Sequence, residues 1–275
     1  MKYLLMIFLI IASSFLFAEN TYKPYILTNI NPDSVETILQ NNNFEIIGKY
    51  EFTPDTKIIV FTCNTLKKIA KENNNGIFFA PMRLAITKGK VSYTNPRYWA
   101  YAYRIKSKEI DKLNKKIIKA LGKTKEFGSE KGLTEKKLRK YKYMIGMPKF
   151  TDLIKIAELK DHKIAVNKLQ KALEEKNALI YKIDLGNTTL FGIKILGNHD
   201  GADKIVMNTL NSFTKGPLHT AYLPYEVLVS DNGIYIFNGK FRIALSFPDL
   251  SMGQFMKIKN APKNIKKYVK SLIEK

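Results

Sequence analysis

The amino-acid sequence predicts an α+β protein of two tandem repeats joined by a basic helical linker. One observation is a succession of apolar strand, polar turn, apolar strand and asparagine in residues 43–64, which recurs without a gap in residues 177–198. Another is a hairpin pattern in residues 78–93 that recurs in residues 220–236 once nine extra residues are allowed. Between the copies, residues 104–149 carry sixteen Lys and Arg against five Asp and Glu, which marks a separate basic segment.

The N-terminus has the layout of a secretory signal. It begins with one positive charge at Lys2, continues as an apolar run and ends in the small residue Ala18. We expect cleavage after Ala18 and a periplasmic or otherwise exported protein that is soluble afterwards. An uncleaved N-terminal anchor is the alternative, although the run is short of the about 20 apolar residues that a spanning helix needs. The predicted divisions are a signal peptide (1–18), a first α+β repeat (22–103), a basic helical linker (104–150) and a second α+β repeat (151–275).

Each repeat is predicted to run helix, strand, strand, helix, strand, strand. Asn64 and Asn198 are expected to cap the second helix of each copy, because an asparagine side chain accepts hydrogen bonds from early helical amides. The segments Lys88-Gly89-Lys90 and Asp231-Asn232-Gly233 are expected to close hairpins, and Asn238-Gly239 to lead into a further strand, KFRIALSF. The second meander offers six apolar residues for burial: Val227, Val229, Ile234, Ile236, Ile243 and Leu245.

The basic segment is predicted to contain one helix, capped by Ser107 and stopped by Gly122. Its apolar face is formed by Ile110, Leu113, Ile117 and Leu121. The polar, glycine-interrupted residues that follow are expected to form a flexible surface linker. A last amphipathic helix, led by Pro262, is predicted at the C-terminus.

The net charge of +22 has two interpretations. The joint abundance of Lys, Asn, Ile, Tyr and Phe favours a compositional bias. The alternative is contact with an anionic envelope surface through residues 104–149. Nucleic acid is not expected as a partner of an exported protein. The single cysteine, Cys63, excludes an internal disulfide.

Cys63 and the histidines are the candidates for chemistry. Cys63 is interpreted as a buried small residue at the end of a strand, and a nucleophile at a helix N-terminus is the alternative. His199, Asp203 and His219 could hold zinc or copper, since two imidazoles and a carboxylate suit these ions. The sequence around Asp203 also fits the acidic first turn of a helix, and we favour that interpretation.

The aromatic stretch NPRYWAYAYR, residues 95–104, is a candidate ligand surface. Tyr98, Trp99 and Tyr101 lie between two arginines, and aromatic rings beside arginine can clamp an organic ligand. The favoured alternative is a helix or edge segment that covers the sheet, with Trp99 in the core.

With these residues in view, the chain resembles the family catalogued as domain of unknown function number 302. The resemblance rests on Thr62-Cys63-Asn64 before a helix, on a strand region with a central proline (Phe78–Ile86), and on Asn95-Pro96 after a hairpin. It covers residues 30–103, and residues 163–250 with fewer matches. Where the family has Leu-Pro-Cys, this chain has Ala80-Pro81-Met82 and Leu223-Pro224-Tyr225, and its second copy has Gly197-Asn198 for Cys-Asn.

The resemblance implies two small domains, each an antiparallel sheet with helices on one face, similar to the TATA-binding-protein fold. It implies no agreed activity, and two copies could pair as a pseudo-dimer with a cleft between them. A site of two thiols fails here because only Cys63 remains. The motif positions and the aromatic stretch give the candidate ligand-binding residues: Cys63, Asn64, Tyr98, Trp99, Tyr101, Asn198 and Tyr225.

We therefore expect an exported, non-catalytic module that binds a small molecule or an envelope protein. No cofactor and no catalytic residue is predicted, and the sequence leaves the oligomeric state open. A metal-dependent enzyme that uses His199, Asp203 and His219 is one alternative, and binding to anionic surfaces through residues 104–149 is another.

Overall fold

The computed structural model describes residues 19–158, 161–230 and 233–274. The predicted signal peptide and residues 231–232 of the second hairpin lie outside the described residues. The strands are β1 (Thr21–Tyr22), β2 (Tyr25–Thr28), β3 (Glu45–Thr53), β4 (Thr56–Thr62), β5 (Met82–Thr87), β6 (Lys90–Thr94), β7 (Lys125–Phe127), β8 (Leu133–Thr134), β9 (Ile154–Ala157), β10 (Leu179–Asp184), β11 (Thr188–Ile193), β12 (Tyr225–Ser230) and β13 (Gly233–Ile236). The α-helices are α1 (Val35–Asn41), α2 (Asn64–Lys71), α3 (Pro96–Ala102), α4 (Ile110–Leu121), α5 (Glu135–Arg139), α6 (His162–Glu175), α7 (Asp203–Asn211), α8 (Gly239–Ser246), α9 (Met252–Lys257) and α10 (Ala261–Ile273). Short 3-10 helices span Pro32–Ser34, Gly76–Phe79 and Thr220–Tyr222.

The fold is mixed α+β with antiparallel sheets, as the sequence predicts. The first sheet has the strand order β3-β4-β5-β6-β2-β7, and the second has the order β10-β11-β12-β13-β9. A small third sheet pairs β1 with β8. Every neighbouring pair is antiparallel. We call the part of the chain around the first sheet the first unit, and the part around the second sheet the second unit.

The buried apolar residues form two hydrophobic clusters. The smaller cluster fills the space between the second sheet and helices α6 and α10, with Leu169, Val229 and Val269 fully buried. The larger cluster contains residues of both units, and the rings of Phe78 and Phe237 lie 3.9 Å apart across the junction. The second sheet is therefore covered by its own helices on one face and by the first unit on the other.

The first hairpin and the helix of the basic segment form as predicted. Lys88 and Gly89 both have positive φ, 50° and 73°, which is the backbone that a two-residue type I′ turn requires. The four apolar residues predicted for one face of α4 are all buried. Gly122 ends α4 with φ 70°, but Ser107 accepts from the backbone N–H of Glu109 and the helix begins only at Ile110.

The strand predicted after Asn238-Gly239 is wrong, because residues 239–246 form α8. The edge of β13 that this strand would need is already paired with β9. Asn238 instead caps the helix, since its side chain accepts from the backbone N–H of Lys240. Asn95 caps α3 in the same way after the first hairpin. The six residues expected to be buried in the second meander are nevertheless buried, two of them on α8.

The prediction of a flexible linker after α4 is also wrong. Residues 125–127 form β7, which adds an edge strand to the first sheet beside β2. Further along, the hydroxyl groups of Tyr141 and Tyr143 donate to the carbonyl oxygens of Ala244 and Leu250 in the second unit. The segment between the sheets is thus structured and fastened to both units.

Neither predicted asparagine cap occupies the N-cap position of its helix. Cys63 occupies the N-cap position of α2, without a side-chain capping bond, and Asn64 is the first helical residue. In the second unit α7 begins at Asp203, five residues after Asn198. The loop before α7 passes close to α10, because a Cβ atom added to Gly201 would lie 2.6 Å from the backbone nitrogen of Ile265. This close passage delays the helix start.

The two units approach most closely where β3 packs against β10. A Cβ atom added to Gly48 would lie 2.6 Å from the carbonyl oxygen of Ile180 and 3.0 Å from the Cβ atom of Tyr181. Real Cβ atoms do not come so close to a backbone oxygen. Glycine is therefore required here by the spacing of the two units.

We expect Gly48→Ala to lower the free energy of unfolding by about 1–3 kcal/mol, because the new methyl group forces two backbones apart. Urea unfolding monitored by circular dichroism measures this change. Gly253→Ala is the matched control, since no atom lies within 4 Å of its added Cβ and alanine is favoured in a helix. Equal stability of the two variants would contradict the role of Gly48.

Among the described residues, no helix has the length and apolar character needed to cross a membrane.

Candidate functional site

The junction of the two units contains three buried charged residues. We call Arg83 on β5, Glu226 on β12 and Arg242 on α8 the ionic centre. Each side chain is at most 3% exposed. Nη1 of Arg83 lies 2.9 Å from Oε1 of Glu226, and Nη1 of Arg242 donates to Oε2 of the same carboxylate. One carboxylate thus joins two guanidinium groups across the two units.

The surroundings of the ionic centre compensate part of the desolvation that burial imposes. Nη2 of Arg242 donates to the carbonyl oxygens of Tyr222 and Pro224, at 2.7 and 2.5 Å. The guanidinium carbon of Arg83 lies 4.9 Å from the centre of the Trp99 ring. Such cation–π contacts gain strength where water is excluded. The ionic centre is thus held rigidly in place.

The predicted aromatic ligand residues belong to this interior. Tyr98, Trp99 and Tyr225 are at most 2% exposed, and Tyr101 is 9% exposed. Tyr98 donates to the carbonyl oxygen of Leu245, and Nε1 of Trp99 donates to that of Pro24. Helix α3 therefore covers the sheet with Trp99 in the core, which is the alternative that the sequence favoured.

The other predicted ligand residues lie in different places. Cys63 is 6% exposed and lines, with Asn64 and Lys116, a cavity of about 330 Å³ on the first unit. Asn198 is exposed on a loop of the second unit. The structure does not bring these residues together with the aromatic residues of α3 into one site.

The three residues proposed for a metal site have separate environments. A ring nitrogen of His199 lies 3.2 Å from the carbonyl oxygen of Leu196, whereas His219 packs between aromatic rings. Asp203 accepts hydrogen bonds from the hydroxyl of Tyr50 and the backbone N–H of Ile195. In the part of the chain that the structure describes, no three His, Cys, Asp or Glu side chains are grouped as metal ligands. The predicted metal set is therefore dispersed.

Asp203 has a structural position that the sequence only partly anticipated. It lies in the acidic first turn of α7, as expected, but it is buried at the junction, and Tyr50 belongs to the first unit. Burial raises the pKa of Asp203 to about 7, although the two hydrogen bonds and Arg242 oppose the shift. The carboxyl group therefore titrates near neutral pH.

A cavity of about 350 Å³ opens between the two units. We call it the inter-unit cavity. Three segments line it: the loop after β7, the loop after α7, and the segment that leads from α8 into α9. The lining residues are Gly128, Ser129, Glu130, Phe213, Thr214, Lys215, His219, Phe247, Asp249, Leu250 and Gln254.

Asp249 fastens the first unit's loop to the wall of the inter-unit cavity. One carboxylate oxygen lies 3.0 Å from the hydroxyl oxygen of Ser129, and the other accepts from the backbone N–H of Glu130 at 2.6 Å. The loop after β7 is thereby held against the second unit. Both units are needed to complete the cavity.

His219 is the buried polar side chain of this cavity. It is 7% exposed, and its ring lies 4.7 Å from that of Phe247 and 5.0 Å from that of Tyr25. Burial lowers the pKa of His219 to about 4, so the imidazole is neutral at neutral pH. Among the described residues its Nδ1 has no hydrogen-bond partner. A buried neutral imidazole thus forms part of the wall of a cavity lined by polar and apolar residues.

Sequence reasoning singled out His219 but missed its neighbours. Ser129 and Glu130 lie in the segment interpreted as a flexible linker, and Asp249 follows the helix interpreted as a strand. No pattern in the sequence places these segments side by side. The ionic centre was also missed, although Arg83 and Glu226 each stand two residues after an aligned proline, Pro81 or Pro224.

No protein-family model, no curated protein and no solved structure matches this chain. The resemblance to domain family 302 therefore stays a prediction.

Proposed function

We propose that the protein is a non-catalytic binding protein whose inter-unit cavity holds a small organic molecule. The observation that carries this proposal is the cavity of about 350 Å³ that both units build, with the imidazole of His219 and the carboxylate of Asp249 in its wall. Small-molecule sites in proteins are typically clefts with apolar walls and a few polar groups that fix the orientation of the ligand.

The composition of the cavity wall indicates what such a molecule would be. A volume of about 350 Å³ is at the lower end of the range for small-molecule sites. Phe213, Phe247 and Leu250 offer apolar surface, while neutral His219 and the Asp249 carboxylate offer hydrogen bonds. This combination suits a compact molecule with an apolar body and one or two polar groups.

The same geometry favours binding over group transfer. The hydroxyl of Ser129 lies within hydrogen-bond distance of the carboxylate of Asp249, and among the described residues no histidine is hydrogen-bonded to it as a base. In the described part of the chain, His219 makes no hydrogen bond to either residue. Ser129 and Asp249 therefore serve to hold the loop in position.

We further propose that the two units are copies of one ancestral repeat of the domain-302 type, with a fold similar to that of the TATA-binding protein, in an exported protein. The strand orders support the repeat, because β3-β4-β5-β6-β2 and β10-β11-β12-β13-β9 follow the same course along the chain. A helix with an asparagine cap follows the second hairpin strand in both units. The layout of residues 1–18 supports export.

The test is native mass spectrometry of the protein purified gently from the cells that make it. We expect one bound organic molecule per chain, absent from a Thr214→Trp variant in which the indole fills the cavity. Thr209→Trp is the matched control, because both threonine hydroxyls donate to the backbone carbonyl four residues earlier but only Thr214 lines the cavity.

A second measurement detects binding even if the natural ligand is lost during purification. A panel of small organic acids, amines and aromatic compounds is screened for a rise in melting temperature, which mass action predicts for any ligand of the folded state. Compounds that bind in the cavity stabilise the wild type and Thr209→Trp but not Thr214→Trp. The proposal is contradicted if no mass is found and no compound distinguishes the two variants.

A further inference from the structure

Four exposed apolar side chains lie together on the surface of the protein. Ile145 is 91% exposed, and Met144, Met252 and Met256 are between 43 and 50% exposed. Single exposed apolar residues are ordinary on a protein surface, but a group of them marks an interaction site. We call these four residues the apolar tip.

The contacts of their neighbours bring the four residues together. The ring of Tyr143 stacks on that of Phe255 with 5.3 Å between the ring centres, and its hydroxyl donates to the carbonyl oxygen of Leu250. Tyr143 immediately precedes Met144 and Ile145, and Phe255 lies between Met252 and Met256 on α9. The two methionines of α9 are four residues apart and share one helix face.

The loop at the apolar tip has a fixed turn. Gly146 adopts a φ of 80°, a conformation that favours glycine, and the backbone N–H of Met147 donates to the carbonyl oxygen of Met144. Ile145 therefore lies within a hydrogen-bonded turn. The stacking of Tyr143 on Phe255 holds the residue before this turn in place.

Basic side chains surround the apolar tip. Lys136, Lys137, Lys140 and Lys142 line an open groove of about 680 Å³ that Tyr143 also borders, and Glu19 is the acidic side chain in its wall. Residues 136–149 contain six Lys and Arg and no acidic residue, Lys257 is the last residue of α9, and Lys259 follows two residues later. The apolar residues thus project from a positively charged surface.

We propose that this face docks the protein on an anionic lipid bilayer. Apolar side chains that project among lysines can enter the boundary between headgroups and acyl chains while the lysines contact lipid phosphates. The cores of protein–protein interfaces are depleted of lysine, so a protein partner fits this surface less well. Single-stranded nucleic acid is bound by stacking on exposed aromatic rings, whereas the tip carries methionine and isoleucine.

The test is cosedimentation with vesicles of phosphatidylglycerol mixed with phosphatidylcholine, and with vesicles of phosphatidylcholine alone. We expect the full-length chain to bind the anionic vesicles, and Ile145→Glu to weaken this binding about ten-fold. Ile164→Glu is the matched control, since Ile164 is 63% exposed but lies on α6. Both variants keep the same residues 1–18, so any contribution of that segment cancels in the comparison.

A tryptophan probe reports the same insertion directly. Ile145→Trp should shift its fluorescence to shorter wavelength on anionic vesicles, whereas Ile164→Trp should not, and the buried Trp99 contributes equally to both. Equal binding of Ile145→Glu and Ile164→Glu would overturn the proposal. So would an equal effect of Ile145→Glu on binding to neutral and to anionic vesicles, or an absence of vesicle binding with a protein partner that requires Ile145. The inference does not depend on the inter-unit cavity.

Discussion

Replacement of Glu226 by glutamine is expected to lower the free energy of unfolding by about 3–5 kcal/mol. The carboxylate of Glu226 joins Arg83 and Arg242, and all three side chains are almost completely buried. Glutamine has nearly the same volume but no charge, so two buried guanidinium groups lose their counter-ion. Urea unfolding monitored by circular dichroism measures the loss.

Glu36→Gln is the matched control for this experiment. Glu36 also contacts two cations, Lys49 at 2.5 Å and Lys57 at 3.0 Å, but its side chain is 33% exposed. Surface pairs of this kind contribute about 1 kcal/mol or less because water and salt screen them. If both variants lost the same stability, burial of the ionic centre would have no special effect.

The stability of the protein is expected to depend on pH through two opposed buried groups. The pKa of Asp203 is about 7 in the folded state against an ordinary 3.8, so the folded state keeps a proton that the unfolded state has lost. Stability from this group therefore falls as pH rises from 4 to 7. The pKa of His219 is about 4 against an ordinary 6.5, so its contribution falls as pH drops from 6.5 to 4. Between pH 4 and 6.5 the two effects oppose each other.

Single variants separate the two effects. Asp203→Asn keeps an oxygen for the donors Tyr50 and Ile195, which both bond to Oδ2, and should leave a stability that rises from pH 4 to 6.5. His219→Phe, which suits the surrounding aromatic rings, should leave a stability that falls from pH 4 to 7. Each change should be on the order of 3 kcal/mol across its range.

Urea unfolding at a series of pH values between 4 and 8 measures both curves. Unchanged pH profiles in both variants would show that neither group has a shifted pKa in the folded protein.

The sequence predicted those elements that depend on local patterns. The apolar face of α4, its end at Gly122 and the turn at Lys88-Gly89 follow from helical periodicity, glycine conformation and hairpin geometry, all of which are properties of neighbouring residues. The assignment of residues 239–246 failed because an apolar run of this length fits either a strand or a buried helix. The helix forms because β9, some 80 residues away in the chain, already pairs with the edge of β13 that a further strand would need.

The candidate site depends on contacts between distant segments and could be predicted only in part. The sequence indicated His219 as a candidate because histidine can bind ligands. The cavity that His219 lines also needs Ser129, Glu130 and Asp249, which come into contact only when the units pack. The sequence does contain one indication of the ionic centre. An arginine and a glutamate at the same place in two aligned apolar strands are costly to bury alone, and opposite charges there indicate a mutual contact.

The ionic centre also determines which halves of the protein can associate. Arg83 and Glu226 are each the second residue of the third strand in their sheets, and they meet at the junction. A pair of first units would place two arginines there without a carboxylate, whereas in a pair of second units each Glu226 would keep the Arg242 of its own unit but lack Arg83. If the two halves were produced as separate chains, a heterodimer should be favoured over a homodimer of first units, because only the heterodimer gives Arg83 a counter-ion.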